Sequence, residues 1–114
     1  MEVCYDRSKR PLEFWAAVLS ATRHSHALSE YDLEATMGIA MGYLHESSSP
    51  AEKSLSLYVL GRAILLMREH YPDWSEWVAC AAILSGEWAY DAGDAVQMLR
   101  SEALFAEYIR LQKR

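Results

Sequence analysis

A chain of 114 residues, 52% of them hydrophobic, can close one core and is too short for two full-sized domains. Eleven basic against sixteen acidic residues give a net charge of −5, which weighs against phosphate-rich nucleic acid and against an anionic membrane surface. Two cysteines, Cys4 and Cys80, make no disulfide framework and fit a reducing, cytoplasmic setting.

The charge is unevenly spread. Residues 1–24 carry four basic and three acidic side chains, residues 25–94 three and eleven, and residues 95–114 four and two. The middle is therefore an acidic body, suited to solubility or to a basic protein partner. The opening residues show no basic-then-apolar leader pattern. The longest apolar run, Trp77 to Leu84, is far shorter than a membrane span. Gly and Pro are scarce, whereas Ala, Leu, Glu, Met and Arg abound, so an all-α fold is expected in a single domain.

Helix starts are legible along the chain. Residues 1–10 and 112–114 are expected to be loosely ordered. Pro11 opens a first helix to about Arg23, with Leu12, Trp15, Leu19 and Thr22 on one stripe and Phe14 and Val18 beside it. Ser29 and Asp32 form a capping-box variant for a second helix to about Glu46, with Leu33, Met37, Ala40 and Leu44 on one face. Ser49, Pro50 and Glu52 start a third, expected to run to about His70. It is apolar nearly all round, which makes it the central helix. Arg62 interrupts it, so a carboxylate partner is expected there, because a lone buried charge is costly.

Tyr71-Pro72 then breaks the chain. Asp73, answered by Glu76, is expected to cap a fourth helix that ends at Gly93. Asp94 caps a fifth, carrying Val96, Leu99, Ala103, Ala106 and Ile109, with a restart or kink at Ser101-Glu102. Short connections favour antiparallel neighbours. The expected architecture is about five helices stacked as antiparallel hairpins, either a plain bundle or a degenerate helical-repeat array. A tetratricopeptide repeat can be started at Leu60-Gly61, but one period of about 34 residues later stand Asp94-Ala95, which do not fit.

The fourth helix is the most informative stretch. Pro72 to Gly93 holds three of the four tryptophans around a middle of Ala and Cys. At about 3.6 residues per turn, positions 74, 77, 81, 84 and 88 share a face, reading Trp, Trp, Ala, Leu, Trp. Two readings compete. The stripe is core, or it is an aromatic groove that anchors a partner helix. The Ala/Cys middle, Cys80 included, reads as core in either case. Trp74, Trp77, Trp88 and Tyr90, with the acidic Glu87 and Asp91, are the candidate partner-binding residues.

Other constellations are weaker. Gly38 and Gly42, with Ala35, form a small-residue face. It suits close packing within the chain, or a homodimer interface. His24 and His26 alternate and could share an ion only in a loop, and His45 and His70 stand alone, so no metal site is expected. Glu87, Asp91 and Asp94 cluster, but Asp94 reads as a cap and the other two as a solvated face. No phosphate loop, nucleophile elbow or dinucleotide fingerprint is present, so no cofactor and no catalytic residue is expected. An all-α enzyme would need a histidine beside Glu87 or Asp91.

Tyr71-Pro72-Asp73-Trp74-Ser75-Glu76-Trp77-Val78-Ala79, followed by Gly86 and then Met98-Leu99, resembles the corresponding run of the small tetratricopeptide-like chaperones that hold type III secretion needle subunits. The resemblance covers roughly a quarter of the chain, in a repeat class built from stacked helix pairs. The middle lacks one helix–turn of that family. The resemblance implies a concave helical surface that sequesters an amphipathic partner helix, and it carries no catalytic residue. The expectation is a cytoplasmic protein-binding domain, a chaperone or adaptor gripping a partner helix. The alternative is a small acidic inhibitor, of immunity or anti-defence type, that covers a basic site.

Overall fold

The computed structural model describes residues 12–22 and 28–112. Within them lie five α-helices: α1 (Leu12–Ala21), α2 (Glu30–Glu46), α3 (Pro50–Leu66), α4 (Ser75–Ala92) and α5 (Ala95–Gln112), with a 3₁₀ turn at Pro72–Trp74 before α4. The chain is an all-α bundle. The expectation of loose ends falls outside the described residues, except that Gln112 is still helical.

Several boundaries follow from local chemistry. Ser29 Oγ accepts the Asp32 N–H at 3.0 Å and starts α2. Ser49 Oγ accepts the Glu52 N–H at 3.4 Å, with Pro50 at the first turn of α3. Asp94 accepts the Gln97 N–H at 3.1 Å ahead of α5. Gly93 ends α4 at φ 66°, a left-handed conformation that glycine adopts without strain.

Three expectations are corrected. α3 stops at Leu66, not near His70. The His70 and Tyr71 N–H groups both turn back to the Met67 carbonyl, at 2.9 and 3.0 Å, and Tyr71 leaves the α region because Pro72 follows it. Asp73 does not cap α4: it lies in the 3₁₀ turn, and the cap position is Trp74, with no side-chain bond. Finally, α5 runs on unbroken through Ser101-Glu102. The Ser101 hydroxyl lies 2.8 Å from the Gln97 carbonyl of the preceding turn, so serine is accommodated within the helix.

α3 is the axis of the bundle and touches every other helix. Residues 54–67 are buried except for the half-buried Leu60. Leu12, Trp15 and Leu19 of α1 and Leu33 of α2 pack large side chains on one part of it, with Ala16 and Ala40 between them. Arg62, with a side chain only 4% exposed, is paired as its place required. Its Nη1 donates to Glu107 at 2.8 Å, and its Nε and Nη2 donate to the Leu19 and Thr22 carbonyls at 2.9 and 2.7 Å. It thus caps the C-terminal end of α1, where carbonyls lack helical partners.

On its other side α3 is met through small residues. A Cβ on Gly61 would stand 2.9 Å from Leu104 Cδ2 and 3.0 Å from Ala81 Cβ, so any larger residue here would push these neighbours aside and glycine lets the three helices come this close. Ser54 pairs with Ser85, and Ser101 Oγ lies 2.8 Å from Ser85 Oγ. These contacts run α4 antiparallel to both α3 and α5. The inward face of α4 is Val78, Ala81, Ala82, Ser85 and Ala89, and that of α5 is Gln97, Ser101 and Leu104.

Candidate functional site

The seam of small residues decides where the large ones go. With Ala and Ser turned inward, α4 presents Trp77, Ile83, Leu84 and Tyr90 to solvent, and α5 presents Val96, Leu99 and Phe105. Trp77 is 62%, Leu99 67% and Tyr90 74% exposed. The tryptophan stripe is therefore divided: Trp77 and Leu84 face solvent, while Trp74 packs against the edge of the core. Only Ala81 of its five positions is buried, with Trp74 and Trp88 half-buried. The Ala/Cys middle is core in part: Ala81 and Ala82 are buried, but Cys80 faces solvent. On α5 the apolar stripe of Val96, Leu99, Ala103 and Ala106 is exposed, with Ile109 half-buried, while Gln97 and Ser101 are inside.

The expected partner-binding residues fall in three places. Trp74 and Trp77 belong to an aromatic row with Tyr71 at the start of α4. The Tyr71 and Trp74 rings stack at 4.4 Å between centroids, and Trp74 and Trp77 at 6.4 Å, with interplanar angles of 11° and 15°. The Tyr71 hydroxyl ties this row to α2, standing 2.7 Å from Glu30 Oε2 and 2.8 Å from Glu34 Oε2. Its hydrogen bonds to Glu30 and then Glu34 hold the phenol well above its usual ionisation range. Trp88 lies elsewhere, half-buried, with Lys53 Nζ 4.7 Å from its ring centroid.

Tyr90, Glu87 and Asp91 meet in a third place, a cleft of about 730 Å³ between α4 and α5. Buried Ala82 and Ser101 and half-buried Gly86 floor it. Ile83, Met98, Phe105 and Ala106 supply apolar walls. Glu87, Asp91 and Glu102 stand exposed around it, and among the described residues no basic side chain or histidine lines it. A volume in the hundreds of Å³ with mostly apolar walls is what binding clefts offer.

Sequence reasoning missed Ile83, Glu102 and Phe105 as site residues. The available signal was excess: α4 and α5 each carry apolar residues on more than one stripe, more than one buried face can absorb. Asp94 stays out of the cleft and caps α5, as expected. The small-residue face of α2 is not closely packed. Among the described residues nothing stands within 4 Å of a Cβ at Gly38 or Gly42, and both are exposed. His45 and His70 are exposed, and His24 and His26 lie outside the described residues. Among the described residues, no group of His, Cys, Asp and Glu is placed to hold a metal ion, and no helix is long and apolar enough to cross a membrane. No family model, curated protein or solved structure matches the chain.

Proposed function

We propose that this chain is a small cytoplasmic protein-binding domain, a chaperone or adaptor that grips a helix of a protein partner on the outer surface of the α4–α5 hairpin. One observation carries the reading: the hairpin turns mainly Ala and Ser inward, beside Val78, Gln97 and Leu104, and leaves most of its large apolar side chains outward. Leaving Trp77, Ile83, Tyr90, Leu99 and Phe105 in water has an energetic cost, since each fully buried side chain of this size is worth about 1.5–3 kcal/mol. Exposed apolar surface of this kind, here divided between the α4–α5 cleft, the Val96–Leu99 side of α5 and the Trp77 row, marks interaction sites. The resemblance to secretion needle chaperones points the same way, and two of its residues, Gly86 and Met98, line the cleft. Neither catalysis nor a cofactor enters the reading.

The test is co-expression with a tagged chain, followed by native mass spectrometry of what co-purifies. A protein partner lost on Ile83→Asp or Tyr90→Ala, with helicity unchanged, supports the proposal. A soluble monomer with no protein partner sinks it.

The acidic surface at Glu87, Asp91 and Glu102 favours a second reading, an inhibitor that blocks a basic site on its target. Binding by charge alone weakens steeply with salt, whereas aromatic burial does not. A lesser part of the proposal is self-association through the open α2 face at Gly38 and Gly42, which sedimentation at rising concentration reads directly.

A further inference from the structure

We infer that the α4–α5 cleft is a socket for a short cationic amphipathic helix, and that Gly86 keeps it open. The inference rests on the protein-binding reading and adds the site, the occupant's charge and its length.

Charge and shape argue together. The walls are apolar at Ile83, Met98 and Phe105, and the bordering charges are Glu87, Asp91 and Glu102, with no cation among the described lining residues. An occupant with an apolar stripe flanked by Lys or Arg satisfies both. An acidic one would set like charges together on the approach. The cleft is bounded by residues 82–91 of α4 and 98–106 of α5. At about 1.5 Å per residue this spans roughly 13 Å, or two to three turns of a docked helix.

Gly86 supplies an independent argument. A glycine in mid-helix is destabilising relative to alanine. Close packing does not demand it here: an added Cβ would meet only Ser101 Cβ, at 3.6 Å, an ordinary contact. This differs from Gly61, where a Cβ would collide with Leu104 and Ala81. A side chain at position 86 would occupy part of the cleft that Gly86 lines together with Ile83 and Phe105. Glycine leaves that space to an anchor from the partner.

The test uses the full chain and stapled helical peptides of about three turns, roughly 11 residues, read by fluorescence anisotropy. One peptide carries Leu anchors at i and i+4 flanked by Lys. Its control has Glu at the Lys positions. The Lys peptide should bind at least about tenfold more tightly at low salt, with the gap narrowing as salt rises. Glu87→Lys with Asp91→Lys should reverse the preference. Gly86→Leu should abolish binding while circular dichroism stays unchanged, and Gly86→Ala should stay folded and serve as a second control. Equal affinity for both peptides overturns the inference, as does binding that survives in folded Gly86→Leu. A dimer that Gly86→Leu dissolves also overturns it, naming a second copy as the occupant. A co-purified partner that Gly86→Leu still retains defeats the socket and leaves the protein-binding reading standing. If no variant or wild-type chain holds any protein partner, both fail.

Discussion

Ser54 and Ser85 exchange hydrogen bonds across the α3–α4 seam, each hydroxyl donating to the other's backbone carbonyl at 2.7 Å. Both residues are fully buried. The pair fixes the rotation of α4. Turning the helix to bury Trp77 and Leu84 instead would strand these hydroxyls and drive rings into a space sized for Ala and Gly. Each unsatisfied buried group costs about 1–3 kcal/mol and overpacking a similar amount. Ser85→Ala should therefore destabilise the domain by about 1–2 kcal/mol, and Ser85→Leu by more. Urea denaturation followed by circular dichroism measures both. A neutral Ser85→Leu would mean that α4 is free to rotate.

The same rotation makes two tryptophans behave oppositely. Trp15 is buried and Trp77 is 62% exposed. Trp15→Ala should cost about 3–5 kcal/mol. Trp77→Ala should cost under about 1 kcal/mol and keep full helicity. Global unfolding of the Trp77 variant would contradict the outward aromatic face.

Arg62 joins three elements through Glu107 and the Leu19 and Thr22 carbonyls. Arg62→Ala should lose about 3 kcal/mol or more, because it unpairs buried groups, a large share of the 5–15 kcal/mol that holds a typical domain (about this range). Glu107→Gln keeps an acceptor oxygen for Arg62 Nη1 and should cost less. Thermal melts of the two variants should rank in that order, and a reversed ranking would show that the ion pair outweighs the carbonyl contacts.

Tyr71 should add a modest alkaline pH dependence, its hydroxyl contacts lying at the solvent-exposed surface. Its folded-state ionisation is raised above the ordinary value of 10.0 by the Glu30 and Glu34 hydrogen bonds. A group raised in the folded state contributes its stability fully below the unfolded pKa. That contribution declines as pH rises above about 10, where the unfolded chain ionises first. Wild-type stability should therefore fall more steeply above pH ~10 than that of Tyr71→Phe. Spectrophotometric titration should lose its highest-pH phenol step in the variant. Identical alkaline profiles would show that the hydroxyl is not held by the two carboxylates.

Gly86→Ala should stabilise α4 by about 0.5–1 kcal/mol, the helix-interior difference between the two residues. The added methyl finds only an ordinary contact at 3.6 Å. A melting temperature that falls instead would show that the cleft floor is already full.

Local chemistry made much of the fold legible. The caps at Ser29, Ser49 and Asp94 and the terminator Gly93 follow from side-chain oxygens and from a positive φ, which act within a few residues. The central place of α3 follows from its lack of a polar face, and the pairing of Arg62 from the cost of a buried charge. The candidate site was legible only in part. Tyr90, Glu87 and Asp91 do meet in one cleft, but Trp74 and Trp77 stack with Tyr71, and Trp88 lies against Lys53. The Lys53 partner of Trp88 sits on α3, and the Tyr71–Trp74–Trp77 row, local in itself, is tied to α2 through Glu30 and Glu34, contacts that nothing local announces.

The sequence by itself determined five helices, most of their ends and the helix at the centre, because capping, glycine and amphipathic spacing are local properties of the chain. Only the tertiary structure decided which way α4 and α5 face. Each carries apolar residues on several sides, so hydrophobic patterning leaves their rotation open. The choice falls to contacts between distant residues. Gly61 admits Ala81 and Leu104, and Ser54, Ser85 and Ser101 satisfy one another's hydroxyls, so the small faces go in and the large ones out.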